Sequence, residues 1–152
     1  MISSEKHETA ALIVYEQKGR WAAALRREAA GTNLRIREVR TADDCREELA
    51  LRPASFIVLE VRENPLPALR FAVWQRCAYP LACWAAVGSR EPAAYEPFLR
   101  EAGAVHVVAT PRRLRQLLEI AARHLGRFEP PQGMAEEIWE NLPWAECDVS
   151  HT

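Results

Sequence analysis

Phe56-Ile57-Val58-Leu59-Glu60-Val61 is a run of apolar residues broken by a single carboxylate. A run this short, with β-branched and aromatic side chains, reads as a strand. It has no polar residue at alternate positions, so both faces are expected to be covered. That is the pattern of a parallel sheet flanked by helices.

The flanking sequence supplies those helices and the other strands. Upstream, Thr41-Ala42-Asp43-Asp44 is an N-cap with an acidic first turn, opening a helix to about Leu51 that Pro53 ends. Asp43-Asp44 has the look of an acidic metal pair, but aspartates in a first turn are explained by the helix dipole. Before it, Leu34 to Arg40 alternates apolar and charged residues, the period-two pattern of an edge strand with one wet face. Residues 20–30 are strong helix formers stopped by Gly31, and Ala10 to Tyr15 is a short buried strand.

Downstream, Pro65 and Pro67 precede a helix from about Ala68 to Cys77, and Leu81 to Val87 is a fourth strand. Ser89 can cap a helix to about Ala102, stopped by Gly103, with Pro97 expected to shorten or kink it. Val105 to Ala109 is a fifth strand. Thr110-Pro111 then starts a helix whose Leu114, Leu117, Leu118, Ala121, Ala122 and Leu125 share one face, with Gly126 as its stop. Five β-α units in succession imply right-handed crossovers. The expected fold is α/β, a flavodoxin-like three-layer α/β/α sandwich on a five-stranded parallel sheet of order 2-1-3-4-5, with the charged strand at the edge. The domain spans 10–126. Residues 127–152 form a linker and tail, in which Met134, Ile138, Trp139 and Leu142 make a short apolar stripe.

The 20 basic and 21 acidic residues leave a formal net charge of -1, which argues against a nucleic-acid surface. Cys45, Cys77, Cys83 and Cys147 form no C-x-x-C pair and have no histidine at ligand spacing, so no zinc site is expected. The polar N-terminus has no signal-peptide core and no run reaches membrane-span length. A cytoplasmic protein with free thiols and no membrane contact is expected. Dinucleotide and Walker loops are absent, and no cofactor is expected. His106 lies within the fifth strand. His124 lies near a helix C-terminus, where a cation is mildly favoured. Neither has a nucleophile partner, so no catalytic residue is assigned.

The β-α rhythm and the closing Gly103-Ala104 … Val107-Val108-Ala109-Thr110-Pro111 resemble the receiver (CheY-like) domain of bacterial response regulators over about residues 10–125. The resemblance implies a pocket with Mg²⁺-binding carboxylates after the first strand and a nucleophilic aspartate ending the third. It also implies a hydroxyl after the fourth strand and a lysine after the fifth. A hard cation takes oxygen ligands, and metal and lysine neutralise the developing charge. Here those positions fall on Glu16 and Gln17, on Glu60, on Val87 and Gly88 (with Ser89 nearby), and on Thr110 followed by Pro111. Misplacing a reacting group by ~1 Å can cost ~10²-fold in rate. The expectation is a degenerate pseudo-receiver without a phosphoacceptor aspartate, working as a protein-interaction module in signalling. Glu60 is then a solvated strand-end carboxylate, beside an arginine, or a mimic of the phosphorylated state. Two alternatives stay open: a phosphoacceptor using Glu60 with Glu16 and Mg²⁺, and a flavodoxin-like ligand site near Glu16, Glu60 and Gly88.

The resemblance places a partner surface on the fourth helix, fifth strand and fifth helix, residues 89–125, with Tyr95, Phe98, Arg112 and Arg115 as contacts. Arg112, Arg113 and Arg115 at a helix start work against its dipole. Trp139 and Trp144 either fold back on the domain or dock on another protein, since tryptophan is enriched at binding hot spots.

Overall fold

The computed structural model describes residues 10–88 and 92–128. Five strands, β1 (Leu12–Tyr15), β2 (Ile36–Val39), β3 (Phe56–Glu60), β4 (Cys83–Val87) and β5 (Ala104–Val108), form one parallel sheet of order β2-β1-β3-β4-β5. Helices α1 (Arg20–Glu28), α2 (Ala42–Leu51), α3 (Leu66–Ala78), α4 (Pro92–Glu101) and α5 (Leu114–Gly126) connect and follow them. The architecture is the one expected from the sequence.

Side-chain alternation along the strands sorts the core into two layers. Leu12, Val14, Phe56, Val58, Ala85 and Val87 face α1 and α5, packing on Trp21, Leu25, Leu117 and Ala121. Ile13, Ile57, Leu59, Trp84 and Ala86 face the other side, with Cys45, Leu49, Phe71 and Leu99 from α2, α3 and α4. Burial on both faces explains why β3 has no polar alternate, and β2 shows its charges because it is an edge. Thr41 caps α2 through its hydroxyl, which accepts from the Asp44 N–H at 3.1 Å. Thr41 is thus the N-cap, and the Asp43 carboxylate accepts from Arg46.

Several boundaries move. β4 starts at Cys83 rather than Leu81, and Leu81 is exposed. The Gln75 amide donates to the carbonyls of Tyr79 and Ala82 and so fixes the turn before the strand. α3 starts earlier, at Leu66, because the Asn64 side chain accepts from the Leu66 N–H and Pro67 suits a first turn. α4 runs through Pro97 to Glu101, so the proline ends nothing. Gly103 follows with φ of 108°, a turn that needs glycine. Arg112 and Arg113 lie in a 3-10 turn, Pro111–Arg113, rather than in the last helix. Only Arg115 of the three stands in α5.

His124 also differs from expectation. It is buried, its Nε2 lies 2.8 Å from the Ala54 carbonyl, and its ring packs between Phe56 and Phe128. Burial holds its pKa below the ordinary 6.5, outweighing the main-chain hydrogen bonds that favour the cation. The helix-end preference for a cation is overridden by desolvation. A histidine depressed in the folded state contributes stability that is full above its unfolded pKa and lost as pH falls through the folded one. The denaturant midpoint is therefore expected to drop from about pH 6.5 downward, before carboxylates titrate near pH ~4. His124→Gln should flatten that part of the profile. His106, also depressed by burial, contributes the remainder. An unchanged slope in His124→Gln would remove His124 as the cause.

Candidate functional site

The carboxyl ends of the strands are where an open α/β sheet offers its site. β1 ends at Tyr15, and Glu16 and Gln17 follow. Gly19 then takes a left-handed conformation, φ of 79°, as the residue before α1. A glycine cap has no side chain to satisfy the first N–H groups of the helix, and Glu16 does it instead. Its Oε1 accepts from the Trp21 N–H at 3.0 Å and its Oε2 from the Ala22 N–H at 2.6 Å. Glu16 is 2% exposed, so both oxygens are committed inside the fold.

Glu60, at the end of β3, is half-buried, and its Oε1 accepts from the Gln17 N–H at 3.4 Å. Among the described residues it forms no ion pair, so the expected arginine partner is replaced by a main-chain N–H. Arg40 follows β2. It donates to the Glu16 carbonyl at 3.4 Å and to Glu38 at 2.8 Å. Its guanidinium lies 2.7 Å from where a Cβ on Gly19 would stand, a contact the flexible arginine could yield, so the left-handed φ is what calls for glycine there.

These groups enclose a cavity of about 170 Å³ lined by Tyr15, Glu16, Gln17, Arg40, Glu60, Arg62 and Asn64. The expected residues Glu16, Gln17 and Glu60 do come together. Val87, Gly88, Thr110 and Pro111 do not line this cavity. Val87 pairs with Glu60 in the sheet, and the Gly88 N–H donates to the Val108 carbonyl. The Thr110 hydroxyl accepts from the Arg112 N–H and starts the 3-10 turn. Ser89 lies outside the described residues.

Arg40, Arg62 and Asn64 were missed in the sequence. Their only signal was position, just past the ends of β2 and β3. Two guanidiniums offset the two carboxylates, and Asn64 is occupied capping α3. Mg²⁺ needs one or two free carboxylates with water completing its shell, and here both oxygens of Glu16 are taken by main-chain N–H groups.

On the expected partner surface, Phe98 is 60% exposed, Val105 of β5 is exposed, and Tyr95 is half-buried against the core. Arg112 is exposed. Arg115 stands instead on the flank of α5 that faces the loop after α1, where it pairs with Glu119 at 3.7 Å. Trp139 and Trp144 lie outside the described residues. No helix among the described residues is long and apolar enough to cross a membrane.

No family model matches the chain, and no curated protein matches it. Solved structures match in fold. A response regulator from Thermotoga maritima aligns with a TM-score of 0.65 at 16% identity, over 77% of this chain and 98% of that one. A CheY-like protein (tadZ) from Pseudomonas aeruginosa PAO1 aligns at 0.63 and 14% identity, over 76% and 98%. A member of a family of redox sensors in the streptococci, evolved from two-component response regulators, aligns at 0.60 and 20% identity, over 78% and 52%. Likeness at these identities is likeness of fold, and the chain carries the five-stranded parallel architecture of CheY-like receiver domains.

Proposed function

We propose that this chain is a phosphorylation-independent receiver-like module that works in signalling through protein contact and is not an enzyme. One observation carries the reading. The carboxylate at the metal-ligand position, Glu16, is spent on the start of α1, with both oxygens held by main-chain N–H groups. Glu60 then stands without a metal site beside it, and Thr110 takes the place of the lysine. The cavity of about 170 Å³ is also smaller than the ~300–1,000 Å³ usual for small-molecule sites, which disfavours a ligand-binding role. The redox sensors of the streptococci are a precedent for a receiver-derived fold in another role. Phe98, Val105 and Arg112 give this module an exposed apolar and basic surface for a protein partner.

Incubation with a small phosphodonor and Mg²⁺ tests the reading by intact mass. The mass is expected to stay unchanged. A phosphoryl increment that disappears in Glu60→Gln would overturn the proposal in favour of an atypical phosphoacceptor.

A further inference from the structure

Two segments of the chain carry charge of opposite sign. Residues 10–128 hold nineteen basic and thirteen acidic residues, whereas residues 129–152 hold six acidic residues and no lysine or arginine. Between 111 and 128 there are five arginines and one acid, Glu119.

One of these arginines, Arg115, lines a groove of about 540 Å³ between α5 and the loop after α1. Leu34, Leu118, Ala122 and Leu125 are its apolar lining, and Arg115, Glu28 and Glu119 its charged lining. Leu125 and Gly126 also line it, so the chain leaves the domain from the groove itself. We propose that residues 134–144 of the same chain dock there, with Met134, Ile138, Trp139 and Leu142 against its apolar lining.

The dimensions agree. Glu129-Pro130-Pro131-Gln132-Gly133 has the composition of a turn and can reach ~16 Å when extended. A helix over the nine residues Met134 to Leu142 would be ~13 Å long, against ~18 Å for the twelve residues of α5 from Arg115 to Gly126. A helix this short is marginal alone and needs a surface to form on. A short tether holds it near the groove at an effective concentration in the mM range, which favours the chain's own segment over a second copy or another protein. This inference does not rest on the phosphorylation reading. It uses the flank of α5 opposite the Phe98 surface.

The test uses the full chain with Cys77→Ser and Cys83→Ser. Cys45 is buried and its thiol is pushed up to about 12, so a nitroxide reagent goes to Cys147. In the isotope-labelled chain, the amide signals of Thr32, Leu34, Ala122 and Gly126 are expected to lose most of their intensity. They should regain it in Trp139→Ala/Trp144→Ala, changes that leave the domain untouched. The proposal is overturned if those signals keep their intensity, or if the loss survives the double change. It is equally overturned if the loss occurs when nitroxide-bearing chains are mixed with isotope-labelled chains that carry no nitroxide, because the occupant is then another copy.

Discussion

Trp21→Ala is expected to lower the unfolding free energy by ~3–5 kcal/mol, the usual cost of emptying a large aromatic site in a core. Trp21 is fully buried and is among the largest side chains in the layer between the sheet and helices α1 and α5. Its neighbours there come from β1, β3, β4 and α5, so no single element can move in to fill the space. For a domain whose total stability is ordinarily ~5–15 kcal/mol, such a loss can unfold a large fraction of the molecules. Trp21→Phe should cost much less than Trp21→Ala. The indole N–H of Trp21 is buried without a partner among the described residues, and an unpaired buried donor carries a penalty of ~1–3 kcal/mol that phenylalanine removes. Urea unfolding followed by circular dichroism measures both. A Trp21→Ala cost below ~1 kcal/mol would mean that the core collapses around the gap and that the layer is less closely packed than the burial implies.

The strand order was legible because β2 and β3 carry different patterns. Charges alternating along Ile36–Val39 can be satisfied only at an edge, and the apolar Phe56–Leu59 only in the middle. Element starts were less legible, because side chains distant in sequence set them. Gln75 fixes the turn before Cys83, and Asn64 fixes the start at Leu66. Within the site, the identities of Glu16 and Glu60 could be read from their strand-end positions, but their roles could not. Whether a carboxylate at position 16 faces a metal or a helix end depends on the left-handed turn at Gly19, which aims α1 back at it. Arg40 and Arg62 come from loops after two different strands. Only the assembled sheet brings them to one cavity, and local sequence carries no sign of that.

The role of Glu16 makes the other large prediction, and its sign separates two kinds of pocket. In a pocket built to hold Mg²⁺, carboxylates crowd together and repel one another until the metal arrives. Neutralising one without metal then relieves repulsion and stabilises the fold, a stability–function conflict. Here Glu16 is a helix cap. Glu16→Ala leaves the N–H groups of Trp21 and Ala22 buried and unpaired, and hydrogen bonds to a charged acceptor are worth ~1.5–3 kcal/mol each. The expected loss is ~3 kcal/mol, or a fall in Tm of about 10 °C for a domain of this size. Glu16→Gln should fall between, since its amide keeps one accepting oxygen but turns a donor toward the other N–H. Mg²⁺ should leave the Tm of the wild-type protein unchanged, whereas a ligand at ~100-fold its Kd would add ~2.7 kcal/mol. Calorimetry with and without Mg²⁺ reads all of this in one series. A rise in Tm on Glu16→Ala, or a Mg²⁺-dependent rise in the wild-type protein that Glu16→Ala abolishes, would return Glu16 to a metal site and with it the case for phosphotransfer at Glu60. A fall that Mg²⁺ does not touch means that the residue in the metal-ligand position has become part of the framework, and a pocket whose acid holds up a helix cannot release it to hold a cation.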